Sequence, residues 1–339
     1  MALPQDDFRR DSALRLHASA PAWPGRAQGF GDSAPSPRAV FDEFIRWTIG
    51  DERAALAGRL DADERDAFLK YYSFLPDVRN EAAVRRYLRG MWFSDIGWVA
   101  RWIAKRASRR PLGLEPVRVL DAGSGFGTYS LLYACMGAEV TAVDLREDRL
   151  RVARRRLELF EERARRSLPV RIERTDVTED IESRYDLVWV YNAISHIDPV
   201  DPFLQGVARQ LSPQGVLVIG DINGGNPRHL RRLDLLRTEV HGTFTDTDGV
   251  VHRYAHEQTF TAGAMRDVLE RNEFEIVRHE LLLGGSGRAP EALQGLLRLG
   301  AGIPVLSRRL ARRQFVVARA VWPAATATPL AAPRSALGG

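Results

Sequence analysis

Two hydrophobic rhythms divide the chain. From residue 39 the apolar positions Phe41, Phe44, Ile45 and Ile49 recur at the spacing of one helix face, and Gly50 follows as a stop. The pattern predicts further helices over 62–75, ended by Pro76, and over 81–88, ended by Gly90. A fourth, capped by Ser94, puts Trp98, Val99, Trp102 and Ile103 on one face. Beyond residue 112 the rhythm changes to short apolar runs separated by amphipathic stretches. The runs fall at 117–121, 139–144, 170–174, 185–190, 215–221, 274–278 and 314–320. Runs of that length, with helix-length segments between them, predict buried strands in an α/β sheet of βαβ type. A stretch after 221 breaks the alternation: a short helix opens at Asn226-Pro227, and residues 245–249 resemble a hairpin tip. Thr261 then caps a helix over 262–271.

Composition changes this picture little. Residues 1–38 and 323–339 are rich in Pro, Ala, Gly, Ser or Thr, carry no period, and are expected to be disordered. Between them lie a helical cap (39–111) and the sheet domain (112–322). Mean hydropathy is −0.26, and no apolar run approaches the ~20 residues of a membrane span. The first ten residues lack a basic-then-apolar leader, and Cys135 is the only cysteine, which excludes an internal disulfide. A cytoplasmic, reducing location is the expectation. The net charge is +5 with a pI of about 9.6, carried almost wholly by arginine. The 44 acidic residues interleave with the 49 basic ones, which favours solvated faces over a nucleic-acid footprint.

The chemistry concentrates at Val117-Arg118-Val119-Leu120-Asp121-Ala122-Gly123-Ser124-Gly125-Phe126-Gly127. A buried strand ends in an acid, a glycine turn follows, and a helix begins. Alternate glycines turn the chain tightly and let a ligand approach main-chain N–H groups. Asp121 stands where a pyrophosphate would meet negative charge, so a zwitterionic or cationic ligand suits the turn better. The next strand ends in Asp144, 23 residues later, at the distance of a carboxylate that holds ribose hydroxyls.

Asp121-Ala122-Gly123-Ser124-Gly125-Phe126-Gly127 with Asp144 resembles the class I S-adenosylmethionine-dependent methyltransferases over roughly 112–322. The resemblance implies a Rossmann-like seven-stranded sheet with an antiparallel last strand, where a dehydrogenase would need a sixth parallel one. It implies S-adenosyl-L-methionine as cofactor. Asp121, Gly123, Ser124, Gly125 and Gly127 would hold its methionine end, Asp144 with Leu145 its ribose, and Asp176 with Val177 its adenine. The stretch Tyr191–Ile197 would face donor and acceptor, with Asn192 toward the donor and His196 as candidate general base. The aromatic helical block offers Tyr72 and Trp92 as acceptor contacts, and Arg228 is a candidate for an anionic acceptor group.

Absent motifs narrow the class. Tyr191-Asn192-Ala193-Ile194 is not the Asn/Asp-Pro-Pro-aromatic signature of nucleobase or glutamine amino-methylation, and no nucleophilic cysteine or two-glutamate loop is present. A small-molecule acceptor with an oxygen, carbon or nitrogen nucleophile remains, ahead of an RNA-binding methyltransferase or a non-catalytic scaffold. No metal is expected: His252 and His256 are four apart, but flanking valines place them on a strand, where that spacing separates ligands. Residues 290–313 mix leucine with arginine and predict two short helices broken by Gly300, Gly302 and Pro304. They would close the acceptor pocket or, less favoured, make weak contact with an anionic membrane surface.

Overall fold

The computed structural model describes residues 36–56, 58–109, 115–178, 184–228, 230, 241–245, 249–255, 258–282 and 309–321. Nearly all of the two terminal segments, the stretch 290–308, Arg231, Arg232, Arg237 and His256 lie outside the described residues. No described helix is long and apolar enough to cross a membrane.

Strands β1 (Val117–Ala122), β2 (Ala138–Asp144), β3 (Val170–Arg174), β4 (Tyr185–Tyr191) and β5 (Leu211–Ile222) run parallel. The strands β8 (Phe274–Leu282) and β9 (Arg313–Ala320) complete a sheet of order β3-β2-β1-β4-β5-β9-β8. Because β9 is antiparallel to both β5 and β8, it alone opposes the other six. A separate antiparallel pair, β6 (His241–Thr245) and β7 (Val251–Ala255), occupies the insertion after β5.

Alternation along each strand divides the core in two. Val119, Val140, Leu187, Trp189, Val218 and Phe315 face one way. There they meet helices α1 (Pro37–Ile49), α4 (Glu81–Trp92), α5 (Asp95–Arg109), α6 (Thr128–Cys135) and α7 (Glu147–Ala164). Leu120, Val188, Val190, Ile219 and Val316 face the other way, against α8 (Val200–Gln210) and α9 (Ala262–Arg271). Two shorter helices, α2 (Asp51–Leu56) and α3 (Ala62–Tyr71), lie near α7.

Several local expectations change. Helix α1 starts earlier, at a Ser36 cap followed by Pro37. Gly90 does not stop α4, which continues to Trp92. Ser94 does not cap α5 through its side chain: its hydroxyl donates back to the Met91 carbonyl, and Asp95 Oδ1 accepts the Ile96 N–H instead. Gly97 is what permits the tight corner, since a Cβ there would lie 1.9 Å from the Trp92 carbonyl oxygen. Asp201, in the first turn of α8, accepts from Arg271 and Asn272 at the C-terminal end of α9.

Candidate active site

Parallel strands that diverge at their carboxyl ends leave a crevice where the strand order reverses, here between β1 and β4. A cavity of about 800 Å³ occupies it, near the upper end of the roughly 300–1,000 Å³ usual for one small ligand. Asp121, Gly123, Ser124, Gly125, Asp144, Leu145, Asp176, Val177, Asn192 and His196 all line it. Gly127 closes the same turn as the N-cap of α6.

Positive φ at Gly123 (77°), Gly125 (55°) and Gly127 (71°) explains the glycines. Space explains Gly123 a second time, because a Cβ there would sit 2.6 Å from the Ala193 Cβ. The Gly123 and Ser124 N–H groups both donate to the Val143 carbonyl at 2.9 Å, lashing the turn to β2. Asp144 Oδ2 accepts from Gly125 N and Oδ1 from Arg146 N, each at 2.9 Å. The carboxylate is thus aimed by the two loops it joins, with acceptor capacity left toward the cavity. Ser124 Oγ is buried without a hydrogen-bond partner in this turn.

Asp121 lies at the floor, 2% exposed. Burial pushes its carboxyl up to about 7, although the Ser130 hydroxyl donates to it at 2.5 Å. A carboxyl so poised takes a proton when the cavity is empty and ionises beside a cation. Together with an uncommitted hydroxyl, two acids and a glycine cradle, this donor set fits the amino, sulfonium and ribose groups of S-adenosylmethionine.

Opposite the turn, Asn192 adopts φ 51° and lends its N–H to the Gly220 carbonyl. Its side-chain oxygen accepts from Arg313 Nη1 at 2.5 Å. The Arg313 guanidinium lies 4.3 Å from the Tyr191 ring centroid, and its other terminal nitrogen reaches Asp95 Oδ2 at 3.2 Å. Gly220 permits this, since a Cβ there would lie 2.3 Å from that carboxylate oxygen. Sequence reasoning missed Arg313 and Asp95, which are 218 residues apart. His196 is exposed at the rim, with Nδ1 3.1 Å from the Ala255 carbonyl. A carbonyl only accepts, so Nδ1 carries the hydrogen and the neutral ring keeps its basic lone pair on Nε2.

Three sequence candidates fall elsewhere. Tyr72 is buried beneath the turn, hydrogen-bonded to Thr128 and Arg156. Trp92 packs between the guanidiniums of Arg38 and Arg101, each 5.1 Å from its ring centroid. Arg228 is exposed and does not line the cavity. The expectation that interleaved charges make solvated faces fails at Arg156 of α7, which is fully buried and paired with Glu52 at 2.5 Å. Its Nη1 donates to the Phe126 carbonyl in the glycine turn at 2.5 Å.

Residues 120–219 match the sequence profile of a methyltransferase-domain family, laid over this same turn, both acids and the Tyr191–Ile197 stretch. The match identifies a methyltransferase domain within the chain, in line with the class I S-adenosylmethionine-dependent type that the turn and its two acids resemble. It is 34% identical over 110 residues to a ribosomal protein L11 methyltransferase of Geotalea uraniireducens, covering 32% of each chain. It is 32% identical over 117 residues to a ubiquinone biosynthesis O-methyltransferase of Alkalilimnicola ehrlichii, covering 34% of this chain and 45% of that one. The chain therefore spans less than half the length of these two curated relatives. Among solved structures, a magnesium protoporphyrin IX methyltransferase from Synechocystis PCC 6803 with bound SAH aligns at a TM-score of 0.47 and 16% identity, over 76% of this chain and 96% of that one.

Proposed function

We propose that this protein transfers the methyl group of S-adenosylmethionine to a small-molecule acceptor. The convergence of Asp121, the glycine turn and Asp144 on one cavity carries the reading. Bound S-adenosylmethionine supplies a methyl carbon already activated by its sulfonium. The chain's part is to hold the donor by its two ends, exclude water and place the acceptor in line. His196 Nε2 is the group suited to take the acceptor's proton, as an oxygen nucleophile of the kind named for the ubiquinone relatives would require. The L11 relative's name points to a protein acceptor instead. A cavity bridged by the β6–β7 pair favours a small molecule over a folded protein surface.

Calorimetric titration with S-adenosylhomocysteine tests the donor half, and the absence of binding by the wild type refutes it. Asp144→Ala should weaken that binding by about 1.5–3 kcal/mol, the worth of hydrogen bonds to a charged group. Methyl transfer from labelled donor to a panel of phenols, amines and peptides tests the acceptor half. Label appearing only in peptide overturns the small-molecule reading.

A further inference from the structure

The hairpin after β5 lies outside the residues matched by the methyltransferase family, yet it lines the same cavity. Its cross-strand register pairs Gly242 with Tyr254 and Phe244 with His252. Exposure alternates along both strands, so these four share the less exposed face, with His241, Thr243, Val251 and Arg253 on the more exposed one; Thr245 and Arg253 reach the cavity rim as well. Phe244 stacks on the His252 ring at 5.2 Å and 25°, and meets Tyr254 edge-on at 6.0 Å. Phe244 and Tyr254 both line the cavity.

The hairpin is fastened at both ends of the crevice. Near its base, His241 and Arg253 pair with Asp198 in the loop after β4, and the Ala255 carbonyl accepts from His196. Toward its tip, His252 lies 3.8 Å from Asp176 in the loop after β3. Arg146, just beyond Asp144, is held charged chiefly by its bond to Asp148, and Tyr254 is a lesser contributor to its surroundings. The strap therefore crosses from the proposed acceptor side to the loop proposed to hold adenine, with its aromatic face inward.

We propose that Phe244, stacked on His252, forms the outer wall of the adenosine site, opposite Leu145 and Val177. This rests on the donor reading above and assigns donor recognition to an inserted element. An aromatic face is the chemistry that holds a purine: stacking is sequence-tolerant and strong for each base. The His252–Asp176 contact sets the height of the wall, which makes His252 a positioning residue.

Calorimetry separates the aromatic wall from donor binding as such. The probes are S-adenosylhomocysteine and 5′-deoxy-5′-methylthioadenosine, which keeps the adenosine and lacks the amino acid. Phe244→Ala should weaken both by the same factor, roughly ten- to hundred-fold. Phe244→Leu should fall between it and the wild type. Thr243→Ala, on the outward face of the same strand, should bind as the wild type does. Melting curves without ligand confirm that each variant is folded, and Phe244→Leu carries the test if Phe244→Ala does not fold. Wild-type affinity in the Phe244 variants, or weakening confined to S-adenosylhomocysteine, overturns the wall while leaving the donor reading intact. A wild type that binds neither probe overturns both.

Discussion

At the scale of single residues, the buried acid is the most sensitive point of the site. Asp121 has a folded-state value raised from 3.8 to about 7. The proton it holds therefore favours the fold at low pH, and that contribution is lost as pH rises through 7. Asp221 is also raised by burial and acts in the same direction. The unliganded wild type should thus lose stability between about pH 4 and pH 7, and Asp121→Asn should flatten part of that fall in urea titrations. Binding has the opposite sign. A cationic donor needs the ionised carboxylate, so affinity for S-adenosylmethionine should climb with pH up to about 7, with proton release visible as buffer-dependent heat. A pH-independent affinity would remove Asp121 from donor recognition. For His196, replacement by Gln should lower kcat roughly 10²–10⁴-fold and leave S-adenosylhomocysteine affinity unchanged. Unaltered turnover would return the ring to its observed role of bonding the Ala255 carbonyl.

At the scale of elements, the turn between β1 and α6 is held by both backbone conformation and packing. Gly123→Ala demands φ 77° of a residue with a side chain and sets its Cβ 2.6 Å from Ala193. Strain of about 1–3 kcal/mol follows from the conformation alone. The loop after β4 must also give way, and it carries Asn192 and His196. Gly123→Ala should lower the melting temperature and abolish measurable S-adenosylhomocysteine binding. Gly125→Ala meets no neighbour within 4 Å, so it should show the conformational cost with little steric addition. Equal losses at the two positions would show that the contact with Ala193 does not matter.

Across the whole molecule, Arg156 is the bolt between the helical block and the sheet. Its guanidinium joins Glu52 of α2, Tyr72 after α3, Thr128 of α6 and the Phe126 carbonyl. The pair is fully buried, so removing one partner leaves an uncompensated charge, at a cost of about 3–5 kcal/mol. Glu52→Leu alone should therefore destabilise strongly. The double replacement Glu52→Leu with Arg156→Met should recover most of that loss in urea unfolding, because a buried pair is exchanged for apolar volume. Donor affinity separates the two roles of Arg156. The double variant should stay weak for S-adenosylhomocysteine despite recovered stability, since the Phe126 carbonyl has lost its tether. Full recovery of affinity would confine the bolt to stability.

Local features are written in the order of the residues. Strand runs, the Thr261 cap, the three glycines and the two strand-end acids each declare themselves within a few residues, because backbone conformation and alternating burial are set by immediate neighbours. The antiparallel closure by β9 was legible through the family pattern rather than from any residue in it. Which polar side chains matter at a distance emerges only when the chain folds. Arg156 resembles its neighbours on α7 in every local respect, and its burial follows from Glu52, 104 residues away, arriving over that turn of the helix. Arg313 closes β9 at Asp95 and Asn192 for the same reason. Tyr72 and Trp92 read as acceptor contacts from their aromaticity, yet a guanidinium claimed each of them. The hairpin showed as a turn signal between two mixed segments, but its place over the cavity depends on Asp176 and Asp198, which other strands deliver. Long-range pairing between charges has no period to read along a chain, and in this protein such pairing positions the walls of the site.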